Sequence, residues 1–272
     1  MIKDWAIMGV VNATPDSFSD GGKYLDSAAA VAHALQLVEE GADILDIGGE
    51  STRPGADVVS AGEERARVMP VMEGLARAEC KARISIDTRK PQIAREAVAA
   101  GATIWNDVTA LTYAQDSLET AAVLKCEIVL MHAAGDPKTM QQNPTYKDVV
   151  EEVYAYLSGR MEASVRAGVS QDRIIVDPGI GFGKTVAHNL ALLANLDRFA
   201  ALGRPILLGA SRKRFIAAFD REGPAGGRLG GSLAAALAGL RRGASIFRVH
   251  DVSATRQALN IADAIENPDL RR

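Results

Sequence analysis

The chain has 272 residues, 47% of them hydrophobic, which is enough to bury a substantial core in one domain. Its formal net charge of -3, with the signs interspersed, carries no nucleic-acid or membrane footprint, so any cationic chemistry must be local. Cys80 and Cys126 lie far apart without metal-type spacing, which excludes a zinc or disulfide framework and reads as two reduced thiols in a cytoplasmic protein.

In chain order, the N-terminal MIKDWAIMGVV is too short for a membrane span and lacks a small-residue cleavage site, so it reads as a first strand. Segments of helical spacing follow at 27–40, 61–78, 91–100, 117–125, 146–167, 187–200 and 253–265. Pro91 lies just inside one of them, and Gly41, Gly101 and Gly168 lie just past the ends of others. A short helix is expected over 212–219, then a Gly-rich turn at 222–227 and an inserted small-residue helix at 231–242. The alternation of strand and helix, eight times over, predicts a single-domain TIM (β/α)8 barrel over 1–272 with an extra helix between strands 7 and 8.

Each apolar run ends on polar residues. WAIMGVV ends at Asn12, DILDIGG at Glu50 to Arg53, RISID at Asp87, and ATIWND at Asn106 and Asp107. EIVLMH ends at His132, RIIVD at Asp177, PILLGASRK at Ser211 to Lys213, and ASIFRVH at Arg248 and His250. Strands buried on both faces read as continuous Val/Ile/Leu runs, and in a parallel barrel the chemistry gathers at their C-terminal ends. Two long loops, 12–24 and 48–62, hang over that face and are rich in Gly and hydroxyl residues, a composition suited to lids or binding loops. The first carries Asn12, Ser17 and Phe18. The second carries Thr52 and Arg53, a hydroxyl beside a guanidinium that makes a natural clamp for diphosphate or carboxylate.

Asp87 and Asp177 carry the sharpest chemical signal. A carboxylate at the inner end of an apolar strand is costly to desolvate unless something donates to it. With Asn106 beside them they suit a flat heterocycle whose guanidine-like N–H edge lies next to ring nitrogens. The plainer readings are a salt bridge from Asp87 to Arg89 or Lys90, and a turn cap by Asp177. The stretch DPGIGFGKT, 177–185, meets neither nucleotide pattern: Pro178 stands where a Walker loop needs Gly, and Lys184 where a dinucleotide fingerprint does. Its glycines allow Phe182 to be presented to a flat ligand.

Ser211 is expected to cap the helix after strand 7 as an anion seat, with Lys213 in that helix's first turn. Arg248 and His250, two apart on a strand, are expected to share a face and form a second anion site. His33 and His188 fall in helical segments and read as structural, and His132 stays undecided.

Taken together, MGVVNATPDSFSDGG, DIGGESTRPGA, SIDTRKP, NDV, DPGIGFGKT, GASRKRF and RVHDV resemble the ordered motif series of the dihydropteroate synthase family, over about Gly9 to Asp251. The resemblance implies a barrel that joins 6-hydroxymethyl-7,8-dihydropterin diphosphate to 4-aminobenzoate and releases pyrophosphate. It implies a pterin pocket at Asp87, Asn106, Asp177 and Lys213, and diphosphate contacts at Asn12, Thr52, Arg248 and His250. Asn12 is also the implied Mg²⁺-linked residue, and an aminobenzoate pocket is implied near Phe18, Arg53, Pro54, Phe182 and Ser211. A homodimer is implied too, with the helix at 231–242 as one contributor. Two rivals stay open: a methyltetrahydrofolate-binding methyltransferase barrel, which has no need of TPDSFSDGG, SRK or RVH, and a non-catalytic pterin-binding paralogue, against which the intact loops argue. The segment HAAGDPKTMQQ, 132–142, departs from the family form, and no catalytic residue is assigned there.

Overall fold

The computed structural model describes residues 5–13, 23–51, 57–135, 140–220 and 223–266, with side chains from residue 27 onward in the second of these stretches. Eight parallel strands close on themselves in sequential order: β1 Ala6–Asn12, β2 Ile44–Gly48, β3 Arg83–Asp87, β4 Ile104–Asp107, β5 Glu127–Met131, β6 Ile174–Asp177, β7 Ile206–Leu208 and β8 Ala244–Val249. Around them lie α1 Lys23–Glu39, α2 Ala61–Arg77, α3 Pro91–Ala99, α4 Ser117–Val123, α5 Val149–Arg166, α6 Val186–Ala194, α7 Leu196–Ala200, α8 Arg214–Ala217, α9 Leu229–Leu240 and α10 Val252–Glu266. The expected (β/α)8 barrel and the inserted helix before the last strand are both present. Among the described residues no helix is long and apolar enough to cross a membrane.

The two faces of the sheet divide the core. Outward residues such as Leu45, Ile47, Ile86 and Leu130 pack under the helices, while Met8, Ile44, Ile104, Val129, Ile175, Leu207 and Ile246 fill the barrel interior. Because strand side chains alternate, the next inward position up each strand is two residues later. Those positions are Val10, Asp46, Asn106, Met131, Asp177, Gly209 and Arg248, polar on four strands, and β3, whose inner residue at the apolar level is Ser85, adds Asp87. A closed apolar plug is therefore roofed by a polar layer at the C-terminal mouth.

Local departures from expectation have local causes. The single helix expected at 187–200 is two, broken at Asn195, whose backbone (φ -124°) leaves the helical region. The helix after β7 shrinks to four residues because Arg212 takes a left-handed conformation (φ 58°), tied by its own N–H to Ser232 Oγ (2.9 Å) and by its guanidinium to Asp251. The inserted helix α9 supplies Ser232, and it approaches α8 closely enough that a Cβ on Gly231 would lie 2.2 Å from Ile216.

Candidate active site

The polar layer is held together by charge. Arg248, from β8, donates from Nε to Asp46 Oδ2 (2.6 Å) and from Nη2 to Asp87 Oδ2 (2.7 Å). Asn106 donates from Nδ2 to the same Asp46 oxygen (3.1 Å). So Asp46, a fully buried residue not singled out from the sequence, joins Asn106 to Arg248, which in turn binds Asp87. Its signal in the sequence is a carboxylate two residues after Ile44 in an apolar strand, overshadowed by the polar residues that end the run. Asp87 pairs with neither Arg89 nor Lys90, which both bind Glu50 instead, correcting the plainer reading given above.

Electrostatics follow from this packing. Burial pushes the Asp87 pKa up to about 7, with Arg248 opposing the rise and Asp46 adding to it. Burial works against the charge on Arg248, yet Asp46 and Asp87 outweigh it and hold the guanidinium above its ordinary range. Across the mouth, Asp177 is raised to about 6 by burial, opposed by the Gly179 N–H that donates to its Oδ1 (2.7 Å) and by Lys213 and Lys184. Asp177 thus is a turn cap, as the plainer reading had it, and also a member of the polar layer.

The glycine-rich turn after β6 is shaped by a second residue that sequence reading left unused. Lys184, buried, donates to His132 Nδ1 (3.0 Å), His132 O (3.2 Å) and Phe182 O (3.0 Å). Burial pulls its pKa down to about 7, and burial together with the Lys184 charge holds His132 neutral, at about 3. Gly179 (φ 68°) is required here, since a Cβ would stand 1.9 Å from His132 O. The turn presents Phe182 to Lys213, whose Nζ lies 4.1 Å from the ring centre.

Two expectations at the anion seat are corrected. Ser211 does not cap a helix: α8 starts at Arg214, its cap position is Lys213, and no side chain caps it. Ser211 Oγ instead accepts the His250 N–H (3.2 Å) and lies 3.1 Å from His250 Nδ1. Lys213 accordingly precedes the helix rather than sitting in its first turn. Arg248 and His250 also part company, because β8 ends at Val249; Arg248 turns to the carboxylates and His250 to Ser211. Burial and the nearby Arg248 charge depress the His250 pKa to about 4, so the imidazole is neutral at pH 7.

Asn12 closes β1 beside Gly48, which in turn pairs with Asp87, so it stands on the same rim. Phe18, Thr52, Arg53 and Pro54 lie outside the described residues. No group of three or more His, Cys, Asp or Glu is disposed to hold a metal ion among the described residues.

A closed parallel barrel with a buried layer of carboxylates, amide and cations at its C-terminal mouth defines a (β/α)8 enzyme for a small polar ligand. The sequence profile of a family described as pterin binding enzyme matches residues 8–250. A dihydropteroate synthase of Neisseria meningitidis serogroup B is 52% identical over 264 residues, covering 95% of this chain and 92% of its own. The Xanthomonas albilineans dihydropteroate synthase solved with 4-aminobenzoic acid superposes with a TM-score of 0.91 at 49% identity, covering 96% of this chain and 93% of that one. The same enzyme in complex with 7,8-dihydropteroate superposes at 0.87 and 46% identity, covering 96% and 94%. The chain belongs to the pterin-binding enzyme family and, within it, to the dihydropteroate synthases, which are transferases.

Proposed function

We propose that the chain condenses (7,8-dihydropterin-6-yl)methyl diphosphate with 4-aminobenzoate, giving 7,8-dihydropteroate and diphosphate. The observation that carries this reading is the single buried layer uniting Asp87, Asn106 and Asp177, three acceptor-bearing side chains from three strands, suited to the N–H edge of a pterin. Lys213, beside Phe182, would donate to the ring's oxo and N5 side.

The route is SN1-like. The electron-rich dihydropterin stabilises an exocyclic methylene cation, so its C–O bond to diphosphate breaks early. The negative charge of Asp87 and Asp177 favours the cationic ring. The aromatic amine of 4-aminobenzoate then attacks as a neutral nucleophile and loses a proton, so no strong base is required. Arg248 and His250 act on the diphosphate, with Thr52 and the loop donors; for Arg248 this means trading part of its hold on the carboxylates. Phe18, Arg53, Pro54, Phe182 and Ser211 form the aminobenzoate side, and closure of the two loops excludes water that would trap the cation.

Mg²⁺ fits the donor set in one particular way. With the Asn12 amide oxygen at the rim and no group of three or more His, Cys, Asp or Glu disposed to hold a metal among the described residues, the ion would be held by Asn12 together with substrate phosphate and water. When bound it neutralises charge on the leaving group.

We further propose a homodimer and a cytoplasmic setting. A groove of about 870 Å³ between α6, α8 and α9 is lined by Leu190, Leu193, Phe215, Phe219 and Gly231, with the Phe219 side chain projecting into solvent. An apolar face of this kind suits a second copy of the chain. Sedimentation of Phe219→Glu is expected to show monomer where the native chain shows dimer; native monomer at micromolar concentration removes the proposal. The two free cysteines support the cytoplasmic setting.

The deciding assay measures pyrophosphate release from the pterin diphosphate, aminobenzoate and Mg²⁺, omitting each in turn. Release that needs both organic substrates is expected. No release sinks the reading in favour of a non-catalytic pterin binder, and methyl transfer to an acceptor would favour the methyltransferase barrel. Asp177→Ala is expected to abolish pterin binding by calorimetry, and Arg53→Ala to raise KM for aminobenzoate while sparing pterin affinity.

A further inference from the structure

We propose that Asp46 is a positioning residue that fixes the polarity of the pterin floor, by dictating which way the Asn106 amide faces and by holding the inner edge of Arg248. The inference rests on the pterin reading of the site.

Asp46 pairs in register with Ser85, one inward step deeper than the Gly48–Asp87 pair, and it is fully buried. Its Oδ2 receives both the Asn106 Nδ2 and the Arg248 Nε. The oxygen that accepts from the Arg248 guanidinium faces Asn106 as an acceptor, so the Asn106 atom turned to it is the nitrogen; the carbonyl turned that way would set two acceptors against each other. The amide oxygen is therefore turned to the opposite side, where it adds to the acceptors of Asp87 and Asp177. Without Asp46 the amide could face either way, and the floor could offer a donor where a ring amine needs an acceptor. Arg248 bears on the same choice. Its Nε is taken by Asp46, which leaves only Nη2 on Asp87 and keeps the guanidinium from swinging fully across that carboxylate.

A residue needed only to fill this position would be apolar like Ile44 one step below, since a buried carboxylate with one oxygen, Oδ1, unpartnered among the described residues is unfavourable for packing alone. The consequence is selectivity. A 2-amino-4-oxopteridine donates at the position where a 2,4-dioxopteridine presents a carbonyl, so the native floor favours the former. A site built to hydrogen-bond one partner rejects the analogue that leaves its groups unpaired.

The test measures, by calorimetry, the affinity of 6-hydroxymethylpterin and of its 2,4-dioxo counterpart for the native chain and for Asp46→Asn. The native chain is expected to prefer the amino ring at least a hundredfold. Asp46→Asn, nearly isosteric, frees the Asn106 amide to turn, and the preference is expected to narrow at least tenfold while aminobenzoate KM changes less than twofold. Loss of packing alone would weaken both rings equally and leave the ratio intact, and that result overturns the proposal. If the native chain itself shows no preference, the pterin reading of the site falls along with it. Asp46→Ser, whose hydroxyl can donate to or accept from the amide, carries the same comparison should the first variant fail to fold.

Discussion

Two buried charge clusters meet at the ends of β2 and β3, and they differ in balance. Beside the loop after β2, Glu50 and Glu64 face Arg89 and Lys90, two carboxylates against two cations: Arg89 and Lys90 bind Glu50 at 2.9 and 2.8 Å, and Lys90 also binds Glu64. Inside the mouth, Asp46 and Asp87 share the one guanidinium of Arg248, leaving that trio one positive charge short. Each cluster leaves one fully buried carboxylate oxygen without a partner among the described residues, Glu64 Oε1 and Asp46 Oδ1, so unmet buried hydrogen bonds do not tell them apart. Charge does. The balanced cluster is complete without ligand and ties loop to strand, with Glu50 also accepting the Val59 N–H (3.0 Å). The unbalanced one is prepared for a donor-rich ligand that the protein does not itself contain.

The strongest way to break this comparison is to remove the shared cation. Arg248→Met leaves two buried carboxylates unopposed, and losing one partner of a buried pair costs about 3–5 kcal/mol. Turnover is expected to fall by about a hundred- to a thousandfold, the range reached when a main electrostatic group of an active site is deleted. The pH dependence has a definite sign. Asp87 is already raised to about 7 by burial, above its ordinary value of 3.8, so its contribution to stability is full below pH 4 and is lost as pH rises through 7. Without Arg248 its pKa climbs further, so the loss in urea unfolding should be larger at pH 8 than at pH 6, where Asp87 is neutral. An equal loss at both would mean that Asp87 does not carry the unbalanced charge.

Glu50→Gln probes the balanced cluster and is expected to do the reverse, costing stability of about 3 kcal/mol at pH 7 while leaving pterin affinity within about threefold. Burial raises the Glu50 pKa, but hydrogen bonds from Arg89 and Lys90 outweigh it and hold the carboxyl below 4.5. Its contribution is therefore present above that pH and fades as pH falls through the lowered value. Urea melts at pH 7 and pH 3.5 should show the difference between native and variant chains shrinking. A large fall in pterin affinity would show that the balanced cluster belongs to the site after all.

The contrast also explains what the sequence could reveal. Apolar runs, their polar ends and the inserted helix were legible because strand burial and helix spacing are local properties; so were Asp87, Asn106 and Asp177, which terminate runs. Asp46 was passed over because it lies inside a run, where only the two-residue step from Ile44, combined with closure of the barrel, turns it toward the mouth. Lys184 was hidden differently: in GFGKT it looks like a solvated lysine, and only the fold brings it to His132, 52 residues earlier. Ser211 failed as a helix cap for a nonlocal reason as well. The hold of Ser232 and Asp251 on Arg212 delays the helix by two residues, a constraint from two later elements that no local pattern carries.

The smallest expected effect sharpens the comparison on the far side of the mouth, where Asp177 has cations near it and, among the described residues, no direct ion pair of the Arg248 kind. Lys184 lowers the Asp177 pKa only through space, after the Gly179 N–H and Lys213, and with its own pKa pulled down to about 7 it is not fully charged at neutral pH. Lys184→Met removes that partial charge while keeping most of the volume. Asp177, at about 6, accepts a ring N–H more strongly when ionised, so pterin affinity falls as pH drops through that value. In the variant the midpoint should move up by about half a pH unit, a shift suited to a partly charged neighbour acting without direct contact. Pterin affinity titrated from pH 5 to 8 reads it directly, and a Phe182 misplaced by loss of the Lys184 bonds would lower affinity at every pH without moving the midpoint. A midpoint unchanged or moved down would mean that Asp177 takes its charge balance from Lys213 and Arg248 alone.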